Sequence, residues 1–104
     1  MLQEIKKQFF EQTLQELTSI NELLKKDKFE ENEWSTLIDR IFTVTHQICG
    51  TAPMLGYEVI PVLSRKLERV FYQMRTEKTE VTNQFIQQTR RNMNVMISLL
   101  NEES

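Results

Sequence analysis

Glycine and proline are almost missing from this chain. In 104 residues there are two glycines, Gly50 and Gly56, and two prolines, Pro53 and Pro61. So little tight-turn chemistry excludes a fold built from many hairpins. There is a single cysteine, Cys49, so no internal disulfide can form, and with a single histidine, His46, the chain cannot assemble a tetrahedral Cys/His metal site. No apolar run approaches the roughly 18 to 20 residues of a membrane span. The opening MLQEIKKQFFEQ lacks the continuous apolar stretch of a secretory signal. Basic charge is not in excess either: 13 Lys and Arg stand against 15 Asp and Glu, a net charge of −2. A general nucleic-acid binder would show a basic face, so no nucleic-acid partner is expected. These absences leave a reduced, cytoplasmic domain without metal or cofactor and without membrane insertion.

What is abundant is Leu, Glu, Lys, Gln and Arg, the composition of a helix former. Hydrophobic residues make up 39% and charged residues 27%, the range of a folded globular protein rather than a disordered one. The length suffices for one core, so residues 1–104 are read as a single domain.

Apolar periodicity marks four helices. The first is expected from about Leu2 to Lys26, on the stripe Leu2, Ile5, Phe9, Leu17, Ile20 and Leu24. KKDKFEENEW interrupts it, with Phe29 and Trp34 as anchors. The second is expected to open at Trp34-Ser35, with Ser35 as N-cap, and to run through Leu37, Ile41, Val44, Thr45, Ile48 and Ala52. Pro53 would clash with a continuing helix and Gly56 accepts a positive φ, so a turn is placed between them. The third starts near Glu58, with Pro61 in its first turn and Val59, Leu63, Leu67, Val70 and Met74 on its apolar stripe. TEKTE connects it to a fourth helix that carries Val81, Phe85, Met93, Met96, Leu99 and Leu100. Four amphipathic segments with short connections predict an all-α fold, an antiparallel up-down four-helix bundle.

Gly50 falls inside the second helix, where glycine is less favourable than alanine by roughly 1 kcal/mol. The helical wheel suggests why. With about 100° per residue and Ile41 at zero, Leu37, Val44, Thr45, Ile48 and Ala52 fall within about 60° of it and form the core arc. His46 lies at about 140°, on a stripe shared with Asp39, Gly50 and Pro53. Phe42 and Cys49 sit at the border between core and solvent. His46 is therefore expected to be exposed, with Gly50 one turn on along the same face. A larger side chain at 50 is expected to crowd the imidazole, so the glycine clears an approach for a bulky partner.

From His46 onward the chain resembles the histidine-containing phosphotransfer (HPt) domain of two-component phosphorelays. That family's pattern is H-x-hydrophobic-K-G-small-small, then a hydrophobic residue and a second glycine. The matching residues are His46, Ile48, Gly50, Thr51, Ala52, Leu55 and Gly56, and Leu63, Leu67 and Glu68 continue it into the next helix. The resemblance implies that His46 accepts a phosphoryl group on Nε2 from a receiver-domain aspartate and passes it to another receiver. It also implies that Glu68 accepts from Nδ1–H and fixes the tautomer. The carrier would have no autonomous catalytic activity, and Mg²⁺ would reside on the partner receiver only. A monomer fits the family.

Cys49 departs from the pattern, because the family usually has lysine there. An uncharged residue cannot offset the roughly −1.5 to −2 charge of a phosphoryl group. Arg65 and Arg69 on the third helix are the nearest candidate cations. Phe42, Thr43, Gln47, Pro53 and Met54 are expected to complete the docking surface around His46. The alternative reading is an HPt-like module that docks receivers without carrying phosphate. A bundle used only for helix-mediated assembly is a third. A hydrolase or metalloenzyme is disfavoured, since the chain lacks the residues for a histidine-based triad or a ligand cluster.

Overall fold

The computed structural model describes residues 1–26, 28–77 and 81–104. They form four α-helices, α1 (Leu2–Leu23), α2 (Glu31–Thr51), α3 (Ile60–Thr76) and α4 (Asn83–Glu103), with one 3₁₀ turn, Ala52–Leu55, between α2 and α3. Each helix packs against its chain neighbours and α1 also closes on α4, so the four make a ring around one core. Cross-helix contacts fix the directions. Glu16 meets Arg40, His46 meets Glu68, Phe71 meets Phe85 and Lys6 meets Glu103, so neighbouring helices run antiparallel. The expected all-α up-down four-helix bundle is the fold.

Leu17, Ile20, Ile41, Ile48, Ile60, Phe71, Met93, Met96 and Leu100 are fully buried at its centre. Trp34 closes the end remote from His46, packed against Phe29 and Phe85 at ring separations of 5.7 and 6.2 Å.

Two helix boundaries differ from expectation by about a turn. Helix α1 stops at Leu23 rather than Lys26. Helix α2 begins at Glu31, a turn before Trp34-Ser35, with Glu30 rather than Ser35 at the N-cap. Glu33 reaches back to accept from the Glu30 N–H (3.5 Å), the reciprocal contact of a capping box, and the acidic first turn suits the positive end of the helix dipole. Glu33 also pairs with Lys26, tying the two helix ends together and lowering the Glu33 carboxyl below its ordinary range. Helix α4 opens at Asn83, where the Thr82 hydroxyl accepts from the Phe85 N–H (3.1 Å). Within TEKTE, Lys78, Thr79 and Glu80 lie outside the described residues, as does Asp27 of the first connection.

The stripe of α3 holds in part, with Leu67 buried and Leu63 and Met74 packed against the core. Val59 and Val70 are exposed, while Ile60, Pro61, Ser64, Leu67 and Phe71 face inward. Ser64 occupies a core position that its polarity hid from a hydropathy reading. On α1, Leu2 and Ile5 are exposed, as is Leu23 at its end.

The connection between α2 and α3 follows the expected chemistry. Pro53 sits in the 3₁₀ turn and Gly56 ends it at φ +90°, a left-handed conformation that side chains with a Cβ disfavour. The start of α3 is then capped from another helix. The Glu103 carboxylate, at the end of α4, accepts from the backbone N–H groups of Glu58, Val59 and Ile60 at 2.7, 2.9 and 3.0 Å. Those donors have no intrahelical acceptors. This clamp fixes where α3 begins, and through it the height at which Glu68 faces α2.

Candidate functional site

Helices α2 and α3 run side by side, and their facing side chains meet in rungs. Asp39 pairs with Arg75 (2.9 Å), His46 with Glu68 (3.3 Å), and Cys49 approaches the Pro61 carbonyl (3.9 Å). The core arc of α2 is buried as the wheel requires: Ile41, Thr45, Ile48 and Ala52 have no exposed surface. Thr45 tolerates this because its hydroxyl donates to the Ile41 carbonyl (2.8 Å). The opposite stripe therefore faces out, and the His46 side chain is 68% exposed.

The protonation of this pair follows from charge. Burial pushes the Glu68 carboxyl up, but its interactions with the Cys49 thiol and the His46 imidazole, and the positive charge of Arg65, outweigh that and hold it below the ordinary carboxylate range. Glu68 is thus ionised at neutral pH and can only accept. The proton in the 3.3 Å contact must sit on His46 Nδ1. In a neutral imidazole this leaves the lone pair on Nε2, and among the described residues nothing hydrogen-bonds to that atom.

Beside the pair lies a shallow depression of about 380 Å³ lined by His46, Cys49, Gly50, Arg65, Glu68 and Arg69. It brings six of the sequence-designated residues together, including both candidate cations. Cys49 is half-buried, and burial together with the facing Glu68 carboxylate pushes its thiol up to about 11, with Arg65 opposing in part. It is a protonated, unreactive thiol at neutral pH. Among the described residues, a methyl group at position 50 would meet nothing within 4 Å. Packing inside the chain therefore supplies no reason for glycine, and a single methyl would not crowd the imidazole. Only a longer side chain could reach into the approach.

The other designated residues are arranged around this centre rather than in it. Phe42 is half-buried and stacks on the His46 ring, with centroids 5.8 Å apart and planes 15° from parallel. Thr43 and Gln47 are exposed and join no contact of the cluster. Pro53 and Met54 are exposed on the 3₁₀ turn, with Met54 at 77%, and lie outside the depression.

Two participants escaped the sequence reading. Tyr72 lies 6.0 Å from the Phe42 ring, and the Arg75 guanidinium lies 4.6 Å from its centroid. Their signal was present: on α3, positions 72 and 75 follow Glu68 by one and two helical turns and so share its face.

Among the described residues, no group of three or more His, Cys, Asp or Glu is placed to hold a metal ion, and no helix is long and apolar enough to cross a membrane. Comparison with protein-family models, curated proteins and solved structures finds no match for this chain.

Proposed function

We propose that this chain is a cytoplasmic histidine phosphotransfer domain of a two-component phosphorelay, a carrier without catalytic activity of its own. The observation that carries the reading is the exposed His46 whose Nδ1 is engaged by an ionised Glu68 while Nε2 stays unpaired. The bundle architecture and the motif around His46 support it.

In the proposed step, the Nε2 lone pair attacks the phosphorus of an aspartyl phosphate on a receiver domain. The N–P bond forms as the acyl P–O bond breaks, and the bonding electrons leave with the receiver carboxylate. No proton need move, because His46 keeps its Nδ1–H and the ring becomes cationic. The Glu68 carboxylate stabilises that charge where it develops. Transfer to a second receiver is the same step reversed. The receiver supplies Mg²⁺ and the groups that bind the transferring phosphoryl.

The opening beside Gly50 gives the receiver access. Arg65 and Arg69, on the rim of the depression, take the place of the family's lysine as counter-charges for the phosphoryl oxygens. A second reading, a receiver-docking module that carries no phosphate, is favoured by one observation: Cys49 is neutral where the family has lysine.

The deciding experiment incubates the chain with a panel of labelled, phosphorylated receiver domains and Mg²⁺. Acid-labile, base-stable label is expected on wild type and none on His46→Gln, with both melting alike because the side chain is exposed. Receiver binding without label on wild type would replace the carrier reading with the docking module.

A further inference from the structure

We propose that Phe42 is a positioning residue, setting the plane of the His46 imidazole so that Nε2 presents its lone pair outward, and that Arg75 and Tyr72 hold Phe42 in place. The proposal deepens the carrier reading and rests on it. It begins from a deficit of constraint. The His46 side chain is 68% exposed and, among the described residues, has one hydrogen bond, at 3.3 Å. One bond of that length does not fix the plane of a ring that turns freely about two side-chain torsions.

Phe42 supplies the missing constraint. It stands one turn before His46 on α2, so the two rings are stacked neighbours on the helix surface. Their planes lie 15° from parallel with centroids 5.8 Å apart, an offset stack rather than an edge-on contact. Phe42 is held in turn by α3. Tyr72 packs against it at 6.0 Å, and the Arg75 guanidinium covers its ring at 4.6 Å. Arg75 is pinned by an ion pair with Asp39, its Nε 2.9 Å from Oδ1. The Asp39 and Arg75 side chains are 59% and 43% exposed, so the ion pair alone adds little stability. What it does is place a planar cation on an aromatic face. The result is a continuous column from Asp39 through Arg75 and Phe42 to His46: Phe42 holds the plane that keeps Nδ1 facing Glu68, and Glu68 selects the tautomer only while that plane is held.

The column also meets the charge change of the reaction. When the N–P bond forms, the imidazole becomes cationic, and an aromatic face stacked against it stabilises a cation. A leucine at 42 would keep much of the bulk and lose both the flat surface and the π face.

A docking role for Phe42 would leave the chemistry intact and weaken receiver affinity, so the test removes the receiver. Phosphoramidate is a small donor whose P–N bond breaks as Nε2–P forms, with ammonia leaving. On the full chain, Phe42→Leu is expected to slow labelling of His46 by phosphoramidate roughly two- to tenfold. Phe42→Tyr is expected to restore the rate, and Arg75→Gln to show a smaller loss. Imidazole ¹⁵N shifts give an independent readout: the Nδ1–H tautomer dominates in wild type and mixes with the other in Phe42→Leu. If Phe42→Leu fails to fold, Arg75→Gln, remote from the imidazole, carries the same two readouts. An unchanged tautomer ratio with an unchanged phosphoramidate rate overturns the proposal. If wild type takes phosphate from no donor, the carrier reading fails separately, and the tautomer ratio still decides the role of Phe42.

Discussion

Glu68 and Glu103 are the same residue type, one on α3 and the other set against its start, and both carboxyls are held below the ordinary range. In each, burial pushes the carboxyl up and its donors pull it further down. The donors differ. Glu103 has three backbone N–H groups within 3.0 Å, all with fixed positions and nothing left over. Glu68 meets one imidazole and one thiol, and the imidazole has a second nitrogen facing solvent. A depressed carboxyl therefore does not by itself mark a functional site. The partner's unspent atom is what separates them: Glu103 completes a helix, whereas on the proposed reading Glu68 prepares a neighbour to react.

Removing each charge should separate these roles. The largest effect is expected at Cys49. With its thiol pushed up to about 11, alkylation by iodoacetamide at neutral pH should run on the order of a hundredfold slower than for a free cysteine. Glu68→Gln should recover part of that rate, with little change in melting temperature. Fast alkylation of wild type would remove the thiol from the account of the Glu68 charge.

Glu103→Ala is expected to do the reverse, costing about 1 to 2 kcal/mol in urea unfolding by orphaning the first donors of α3. The pH dependence has a definite sign. The folded carboxyl binds its proton more weakly than the unfolded one, whose ordinary value is 4.5. The contribution is thus complete above that value and is lost as the pH falls through the folded one. Wild type should lose stability on acidification more steeply than Glu103→Gln, and equal slopes would refute the clamp.

The smallest effect is expected at Gly50. Since a methyl group there has open space, Gly50→Ala should stabilise the chain by up to about 1 kcal/mol. Gly50→Leu should fold as well yet slow phosphoryl transfer from a receiver. A Leu variant with wild-type transfer would leave this glycine without a functional reason.

The outward stripe of α2 was legible from one dimension because it needs only the pitch of a helix. Ile41, Ile48 and Ala52 inside, His46 outside, and Phe42 and Cys49 between all follow from about 100° per residue. The turn at Pro53 and Gly56 followed from the backbone limits of those two residues. Where periodicity was ambiguous, the reading slipped. Val59 and Val70 looked like core because valine is apolar, but the face that packs is the one carrying Ser64. The N-terminus of α2 was misplaced by a turn, because Ser35 is the usual capping residue and a glutamate at the N-cap is not.

By itself, then, the sequence determined the number of helices, the side of α2 on which the histidine stands, and the gap left beside it by Gly50. These are local properties, set by steric limits and helical pitch within a few residues. Glu68, Arg65 and Arg69 were named from the resemblance and their place on the third helix, but only the tertiary structure set Glu68 at 3.3 Å from Nδ1, gathered both arginines into the depression with Cys49, and braced Phe42 with Arg75 and Tyr72. The physical reason is register. How far one helix slides along its neighbour is fixed by the interlocking of Ile48, Ile60, Leu67 and Phe71 in the core and by the Glu103 clamp at the start of α3. A slide of one turn would keep every hydropathy pattern intact and leave His46 facing a different partner.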